Sequence, residues 1–191
     1  MRRLVIPLCL AGLLAACGLI GGKDNPPKPP PDVGSRLAAF RAVCDGKGTP
    51  TAPDYAKDDD HRVVAFEGKG DDMRIAGANR LPEDWTADFP WDDIDKVDLV
   101  VCGERVAAKP VRLCKDSGGQ KDAITWHTAT YSYTARSLRT GKPLGKAKTI
   151  KARSHRCPTN VSVARQYIPL DQFALISKTA LRDFTKPFVQ P

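Results

Sequence analysis

Three histidines are the side chains of this chain best suited to proton transfer near neutral pH. They are His61, His127 and His155, and they lie in three separate segments of the 191 residues. No H-E-x-x-H metal motif and no G-x-S-x-G nucleophile motif surrounds them. We therefore predict no catalytic residues and no enzyme activity. The alternative is an enzyme, or an enzyme inhibitor, that uses His127 or His155.

Two acidic runs are the places where a metal ion could bind. The first is DDDH, Asp58 to His61, and the second is DDIDKVD, Asp92 to Asp98. Carboxylate oxygens are ligands that Ca²⁺ prefers, but neither run has the alternating ligands and central glycine of an EF-hand loop. Three adjacent aspartates cannot easily face one ion, and aspartates commonly gather in loops. We predict solvated loops here, with no metal and no cofactor.

The N-terminal residues have the layout of an export signal. Arg2 and Arg3 precede an apolar stretch, Leu4 to Leu14, which is too short to span a hydrocarbon core about 30 Å thick as a helix. The stretch ends in LAAC, whose last residue is Cys17. This motif resembles the lipobox of bacterial lipoproteins, in which an aliphatic residue and two small residues precede a modified cysteine.

The resemblance implies a lipid anchor at Cys17. In bacterial lipoproteins this sulfur receives a diacylglycerol, the signal is cut before it, and the new N-terminus is usually acylated. Two or more acyl chains hold a protein stably at a membrane. Residues 1–16 would be the signal peptide, and Cys9 would be discarded with it. The expected location is the cell envelope. If the host is Gram-negative, Gly18 implies the outer membrane, because aspartate at this position favours retention in the inner one.

A linker and one domain are expected after the anchor. Residues 17–35 are rich in glycine and proline, which favours an extended chain with few internal hydrogen bonds. Residues 36–191 are long enough for one globular domain with its own core. They contain no second apolar span, so an integral membrane protein is not expected.

Four cysteines remain for the domain, namely Cys44, Cys102, Cys114 and Cys157. An even number in an exported protein indicates two disulfides, and three pairings are possible. We favour a bond between Cys44 and the sheet, although the pairing does not follow from the sequence. Metal binding is the alternative, and it is disfavoured because there is no C-x-x-C pair.

Positive charge is concentrated in the second half of the chain. Residues 103–191 contain 17 basic and 5 acidic side chains, whereas residues 17–102 contain 11 basic and 17 acidic ones. A run of eight basic residues contains no acidic one, and we predict it as the binding surface: Arg136, Arg139, Lys142, Lys146, Lys148, Lys151, Arg153 and Arg156.

A field of one sign attracts polyanions. The predicted partners are therefore an anionic envelope polymer or an acidic protein, besides the membrane that holds the lipid; nucleic acid is not expected. Two alternatives need no partner. Lysines on an exposed hairpin can keep a sheet edge soluble, and the acidic half of the chain can pair with the basic half inside the domain.

The basic run belongs to a predicted β-hairpin. Ile124 to Leu138 is rich in Thr and Tyr and alternates between polar and less polar residues, which is typical of a strand. The alternation places His127, Ala129, Tyr131, Tyr133 and Ala135 on one face, with Thr128, Thr130, Ser132, Thr134 and Arg136 on the other. Arg139 to Pro143 is the expected turn, and Leu144 to Arg153 the returning strand.

Helices are expected near both ends of the domain. Ser35 to Asp45 has helical spacing, with Ser35 as N-cap and Gly46 as stop. From Pro169 a second helix would place Phe173, Ile176, Ala180, Leu181 and Phe184 on one face and end at Pro187. Three further strands are expected at His61–Glu67, Lys96–Glu104 and Arg105–Lys115, the last kinked at Pro110.

The predicted fold class is α+β or mainly β, with an antiparallel sheet, a long hairpin, a helix near each end and disulfide bonds. A second resemblance adds to this fold prediction only. LPEDW (Leu81 to Trp85), LVVC, Cys114, the Tyr-rich strand, the TGK turn and the CP at Cys157 recur in this order in small exported bacterial β-rich domains. The resemblance implies no activity, because none is assigned to those domains.

Overall fold

Strands and helices account for much of the chain that the structure describes. This computed structural model describes residues 33–57, 59–76, 78–87, 96–114, 124–153, 157 and 171–190. Two helices lie within these ranges, α1 (Val33–Cys44) and α2 (Lys178–Val189). The strands in the same ranges are β1 (Val63–Gly68), β2 (Arg74–Ile75), β3 (Leu99–Cys114), β4 (Ile124–Ser137), β5 (Lys148–Ala152) and β6 (Asp171–Phe173).

These strands form one mixed sheet in the order β2-β1-β3-β4-β5, with β6 also paired to β4. The long pair β3–β4 is antiparallel and runs from Leu99 opposite Ser137 to Cys114 opposite Ile124. The pairs β1–β3 and β4–β6 are parallel. The predicted α+β class is confirmed, and the sheet is mixed rather than wholly antiparallel.

Two apolar cores lie on opposite faces of the sheet, with one helix against each. Val63 and Ala65 belong to the core under α2, whereas Val64 and Phe66 belong to the core under α1. Successive side chains of a strand point to opposite faces, so β1 is buried on both sides. We call these faces the α2 face and the α1 face.

The alternation predicted for β4 is confirmed. Ala129, Tyr131, Tyr133 and Ala135 are buried on the α2 face, and the four hydroxyl residues between 128 and 134 are half-buried. Gly103 of β3 lies directly opposite Tyr133. A Cβ atom at Gly103 would lie 2.5 Å from the Tyr133 ring, so this glycine makes room for the ring.

The two strands expected at 96–104 and 105–115 are instead one strand, β3. Its register against β4 shifts between Arg105 and Ala107 and again between Pro110 and Arg112. Each shift is a bulge that adds one residue to β3 and lets the strand bend without ending. Pro110 therefore lies within the strand, and its missing N–H is tolerated because bulges and sheet edges are where proline fits.

Both helices differ slightly from their predicted bounds. The predicted stop of α1 is confirmed, because Gly46 has a φ of +83° and the Lys47 N–H bonds back to the carbonyl oxygen of Ala42 at 3.0 Å. Ser35, expected as the N-cap, lies inside α1, which begins at Val33.

The second helix begins later than predicted and ends later too. Ser177 is its N-cap and accepts a hydrogen bond from the Ala180 N–H at 3.1 Å. Phe173 is not in the helix, because residues 171–173 pair with β4 instead. Pro187 does not end α2, which continues to the buried Val189. Burial of that last turn offsets the hydrogen bond that proline cannot make.

Two disulfides connect the elements. Cys44 at the end of α1 is bonded to Cys102 of β3, which confirms the favoured link between Cys44 and the sheet. Cys114 at the end of β3 is bonded to Cys157. The two bonds are separated along β3 by most of its length, so they hold different ends of the sheet.

The chain divides into the units 1–30 and 31–191, and all described residues belong to the second. The predicted signal peptide, Cys17 and most of the linker therefore lie outside the described residues. In the part of the chain that is described, neither helix is long and apolar enough to cross a membrane.

Candidate functional site

The predicted basic hairpin forms the outer edge of the sheet. After Ser137 the chain turns at Gly141, whose φ is +69°, and Pro143 bridges back to Arg136. β5 then pairs with residues 129–133 of β4 and is the last strand in the sheet order. Six cations of this segment are exposed, and Arg139 is paired with Asp54. We call the other five the basic edge: Lys142, Lys146, Lys148, Lys151 and Arg153.

Two cations of the basic edge lie on β5, and the other three lie in the turn before it or directly after it. Lys148 is opposite Tyr133 and shares the α2 face, whereas Lys151 is opposite Thr130 and shares the α1 face. Three residues of extended strand rise about 10 Å, so these two ammonium groups are well separated. No acidic residue lies in the sequence between Arg136 and Arg153. The edge therefore offers a row of positive charges to solvent.

Two of the other three predicted binding residues have partners within the fold. Arg136 is half-buried, and its guanidinium donates to the carbonyl oxygen of Gly141 at 2.8 Å, which supports the turn. Arg139 is ion-paired with Asp54 at 3.0 Å. Arg156 lies outside the described residues. The sequence alone did not distinguish Arg136 and Arg139, which have these partners, from the five cations of the basic edge.

A cleft of about 330 Å³ lies on the α2 face, where β1 ends and β3 continues without it. Gly68, the last residue of β1, is opposite Glu104, so Arg105 is the first β3 residue without a β1 partner. The cleft opens at this step in the sheet. Its walls include Arg74 and Phe173, which β2 and β6 contribute.

A buried carboxylate lies at the inner end of the cleft. Glu67 is 5% exposed, and it is placed there because it shares the face of Val63 and Ala65. One carboxylate oxygen accepts a hydrogen bond from the Tyr133 hydroxyl, and the other accepts from the Arg80 guanidinium. A buried charge needs such partners, because transfer from water to an apolar interior is otherwise costly.

Arg80 also donates to the carbonyl oxygen of Ile176 at 2.6 Å, which links this network to the segment before α2. Burial raises the pKa of Tyr133, and the negative charge of Glu67 raises it further. Burial likewise raises the pKa of Tyr131 to about 12, with a smaller contribution from Glu67. Both phenols are therefore neutral hydrogen-bond donors at physiological pH.

The outer wall of the cleft combines an aromatic ring with a guanidinium. The guanidinium carbon of Arg105 lies 3.3 Å from the centre of the Phe173 ring. The His127 ring also packs against Phe173, and the two ring centres are 4.8 Å apart. Its Nε2 donates to Asp171 at 3.0 Å. His155, the other histidine considered for catalysis, lies outside the described residues.

The two acidic runs meet in the fold. His61, from the first run, donates through Nδ1 to Asp98 of the second, and its ring stacks on Tyr55 with centres 4.1 Å apart. Both residues of the pair are buried, whereas Asp59 and Asp60 are exposed. Burial raises the pKa of Tyr55, and Asp98 adds to that shift. No group of three His, Cys, Asp or Glu side chains suited to a metal occurs among the described residues.

Sequence reasoning missed the cleft, although one signal was present. Glu67 occupies a position that alternation assigns to the core, and a charged residue there indicates a buried partner. Its partners Arg80 and Tyr133 are 13 and 66 residues away, so no local motif joins them. Comparison of the chain with protein-family models, curated proteins and solved structures finds no match.

Proposed function

We propose that this chain is a lipid-anchored protein of the cell envelope whose domain binds an anionic polymer through the basic edge, without catalysis. The lipid anchor rests on the resemblance of LAAC, ending at Cys17, to a lipobox. The observation that carries the binding proposal is the row of five exposed cations on the outermost strand and in the residues that flank it.

A linear polyanion matches this surface in shape and charge. Lysine ammonium groups are compact point charges on flexible stems, which suits a polymer with repeated negative groups better than one fixed ligand. Exposed charges are screened by salt over about 8 Å at physiological ionic strength. Binding at this edge should therefore be moderate in strength and should weaken as salt rises. A long anchor-proximal linker would let the edge reach polymer lying away from the lipid.

The experiment compares two variants with equal loss of charge. The first replaces Lys142, Lys146, Lys148 and Lys151 by glutamine on the basic edge. The control replaces four exposed lysines elsewhere by glutamine: Lys47, Lys57, Lys69 and Lys178. The full chain in a non-ionic detergent is titrated into fluorescent heparin, a soluble anionic polymer, with neutral dextran as the uncharged probe.

Wild-type protein is expected to bind heparin and not dextran, with an affinity that falls steeply between low and physiological salt. The basic-edge variant should bind at least about ten-fold more weakly, whereas the control should keep most of the wild-type affinity. Equal losses in both variants would show attraction by net charge alone and would contradict the proposal. Failure of both wild type and control to bind heparin would also contradict the proposal. That result would favour an acidic protein as the partner, or lysines whose role is only to prevent strand pairing at the sheet edge.

A further inference from the structure

The cleft beside β6 has two guanidinium groups next to exposed apolar surface. Arg105 and Arg74 line it, and no carboxylate among the described residues is ion-paired with either of them. Leu175 is 52% exposed, and it lines the same space as the half-buried Phe173. Cations and apolar side chains that face one cavity together are suited to a ligand with both characters.

The charges that line the cleft balance once Arg80 is counted with its partner Glu67. Asp72 and Asp171 then offset the guanidinium groups of Arg74 and Arg105. Because no excess positive charge remains to hold a phosphate dianion, the cleft is better suited to a ligand with a single negative charge that one guanidinium can bind.

The position of Arg105 favours a carboxylate as that charge. Its guanidinium lies against the Phe173 ring, and this stacking restricts the side chain and orients the donors at the edge of the guanidinium plane. A carboxylate accepts two parallel hydrogen bonds from such a plane. The Tyr131 hydroxyl donates to the carbonyl oxygen of Ala174 and remains neutral, so it adds no competing negative charge.

We propose that this cleft binds a small organic monocarboxylate, with its carboxylate on Arg105 and its apolar body between Phe173 and Leu175. A volume of about 330 Å³ is near the lower end of the range for small-molecule pockets. This site is separate from the basic edge and does not depend on polymer binding there. Catalysis is not part of the proposal, because no nucleophile is required for capture.

The test uses three fluorinated probes of similar size that differ in charge. They are 4-fluorophenylacetate, 4-fluorophenethylamine and 2-(4-fluorophenyl)ethanol, each followed by ¹⁹F NMR as it is titrated with the full chain in a non-ionic detergent. Saturable binding of the carboxylate is expected, with the amine and the alcohol bound at least about ten-fold more weakly. Equal binding of all three probes would overturn the proposal.

Three variants locate the site. Arg105→Gln should weaken carboxylate binding at least about ten-fold, and Leu175→Ala about two- to five-fold through lost apolar contact. Leu175 is half exposed, so this second variant does not endanger the fold. The control is Arg182→Gln, which removes another ring-stacked arginine, 5.6 Å from the centre of Trp85, and should leave binding unchanged.

Unchanged carboxylate binding in both Arg105→Gln and Leu175→Ala would refute the site, as would an equal loss in Arg182→Gln. Far-UV circular dichroism and melting temperature establish that each variant is folded before its binding is compared. Heparin binding by Arg105→Gln should match that of wild type, which distinguishes failure of the cleft from failure of the basic edge.

Discussion

Tyr131 shows how one side chain of the sheet serves both the fold and the cleft. It is 1% exposed, its hydroxyl donates to the Ala174 carbonyl oxygen at 3.1 Å, and it also lines the cleft. The ordinary pKa of tyrosine is about 10. Burial raises the pKa of Tyr131 to about 12 in the folded protein, because the ionised phenolate would lose its hydration. The folded state therefore favours the neutral phenol.

Stability should for this reason depend on alkaline pH through Tyr131. A folded pKa above the unfolded one contributes stability that is fully present below about pH 10 and is lost as pH rises toward 12. The loss at pH 11 is about 1.4 kcal/mol for a shift of this size. The variant Tyr131→Phe lacks this titration, although at pH 8 it should be about 1 kcal/mol less stable than wild type because it loses the hydrogen bond.

Urea unfolding of both proteins at pH 8 and pH 11 measures the difference. The stability advantage of wild type is expected to shrink by about 1.4 kcal/mol and so to disappear or reverse at pH 11. A difference that stays constant over this range would mean that Tyr131 titrates alike in the folded and unfolded states.

At the scale of the element, α1 depends on a single covalent link to the sheet. Its buried residues Phe40 and Val43 pack on β1 and β3, and its last residue, Cys44, is bonded to Cys102. Closing a loop across a sequence separation of 58 residues restricts the unfolded chain. Replacing both cysteines by alanine should lower the free energy of unfolding by about 2–4 kcal/mol.

Removal of the Cys44–Cys102 bond should also make α1 open locally more often, besides lowering the global free energy of unfolding. Hydrogen exchange is expected to accelerate in α1, while the amides of β3 and β4 keep most of their protection because their ladder remains. The comparison is the variant in which Cys114 and Cys157 become alanine, which should leave α1 protected. If removal of either disulfide exposes α1 equally, the Cys44–Cys102 bond is not what holds this helix.

Elements with a regular local pattern were predictable, and those that depend on distant partners were not. Alternation identified β4 and its buried face, since period two is a property of the strand itself. The parallel partners of β3 and β4 come from residues 63–68 and 171–173, and no local pattern specifies such pairings. For the same reason Phe173 fitted a helical pattern but joined the sheet, where backbone pairing with β4 outweighed its spacing.

The candidate sites follow the same rule. The basic edge is local in sequence, so its cations were predicted, although Arg139 has a partner, Asp54, that only the fold brings near. The cleft joins Glu67, Arg105 and Phe173, which are separated by 38 and 68 residues along the chain. Glu67 alone could have indicated a buried network, because its place in a strand of core residues is unusual for a charged side chain.

At the scale of the whole molecule, the proposed function requires that the domain stay at a membrane. A row of exposed cations binds polyanions weakly when it is free in solution, because salt screens each contact. An anchor raises the effective concentration of the basic edge near envelope polymers, in the way that linking two binding events does. The lipid on Cys17 and the cations of the basic edge would then act together, although the residues that carry them are far apart in the chain.

The variants Cys17→Ser and Cys9→Ser test this arrangement in a bacterial host that processes lipoproteins. Wild type and Cys9→Ser should sit in membranes, begin at residue 17 and carry the added mass of acyl chains, because Cys9 leaves with the signal peptide. Cys17→Ser should lack acyl mass and be absent from the lipid-bound fraction. Fractionation and intact-mass spectrometry measure both properties. If all three proteins are soluble and cut at another residue, LAAC is a coincidence, and the basic edge must find its partner without an anchor.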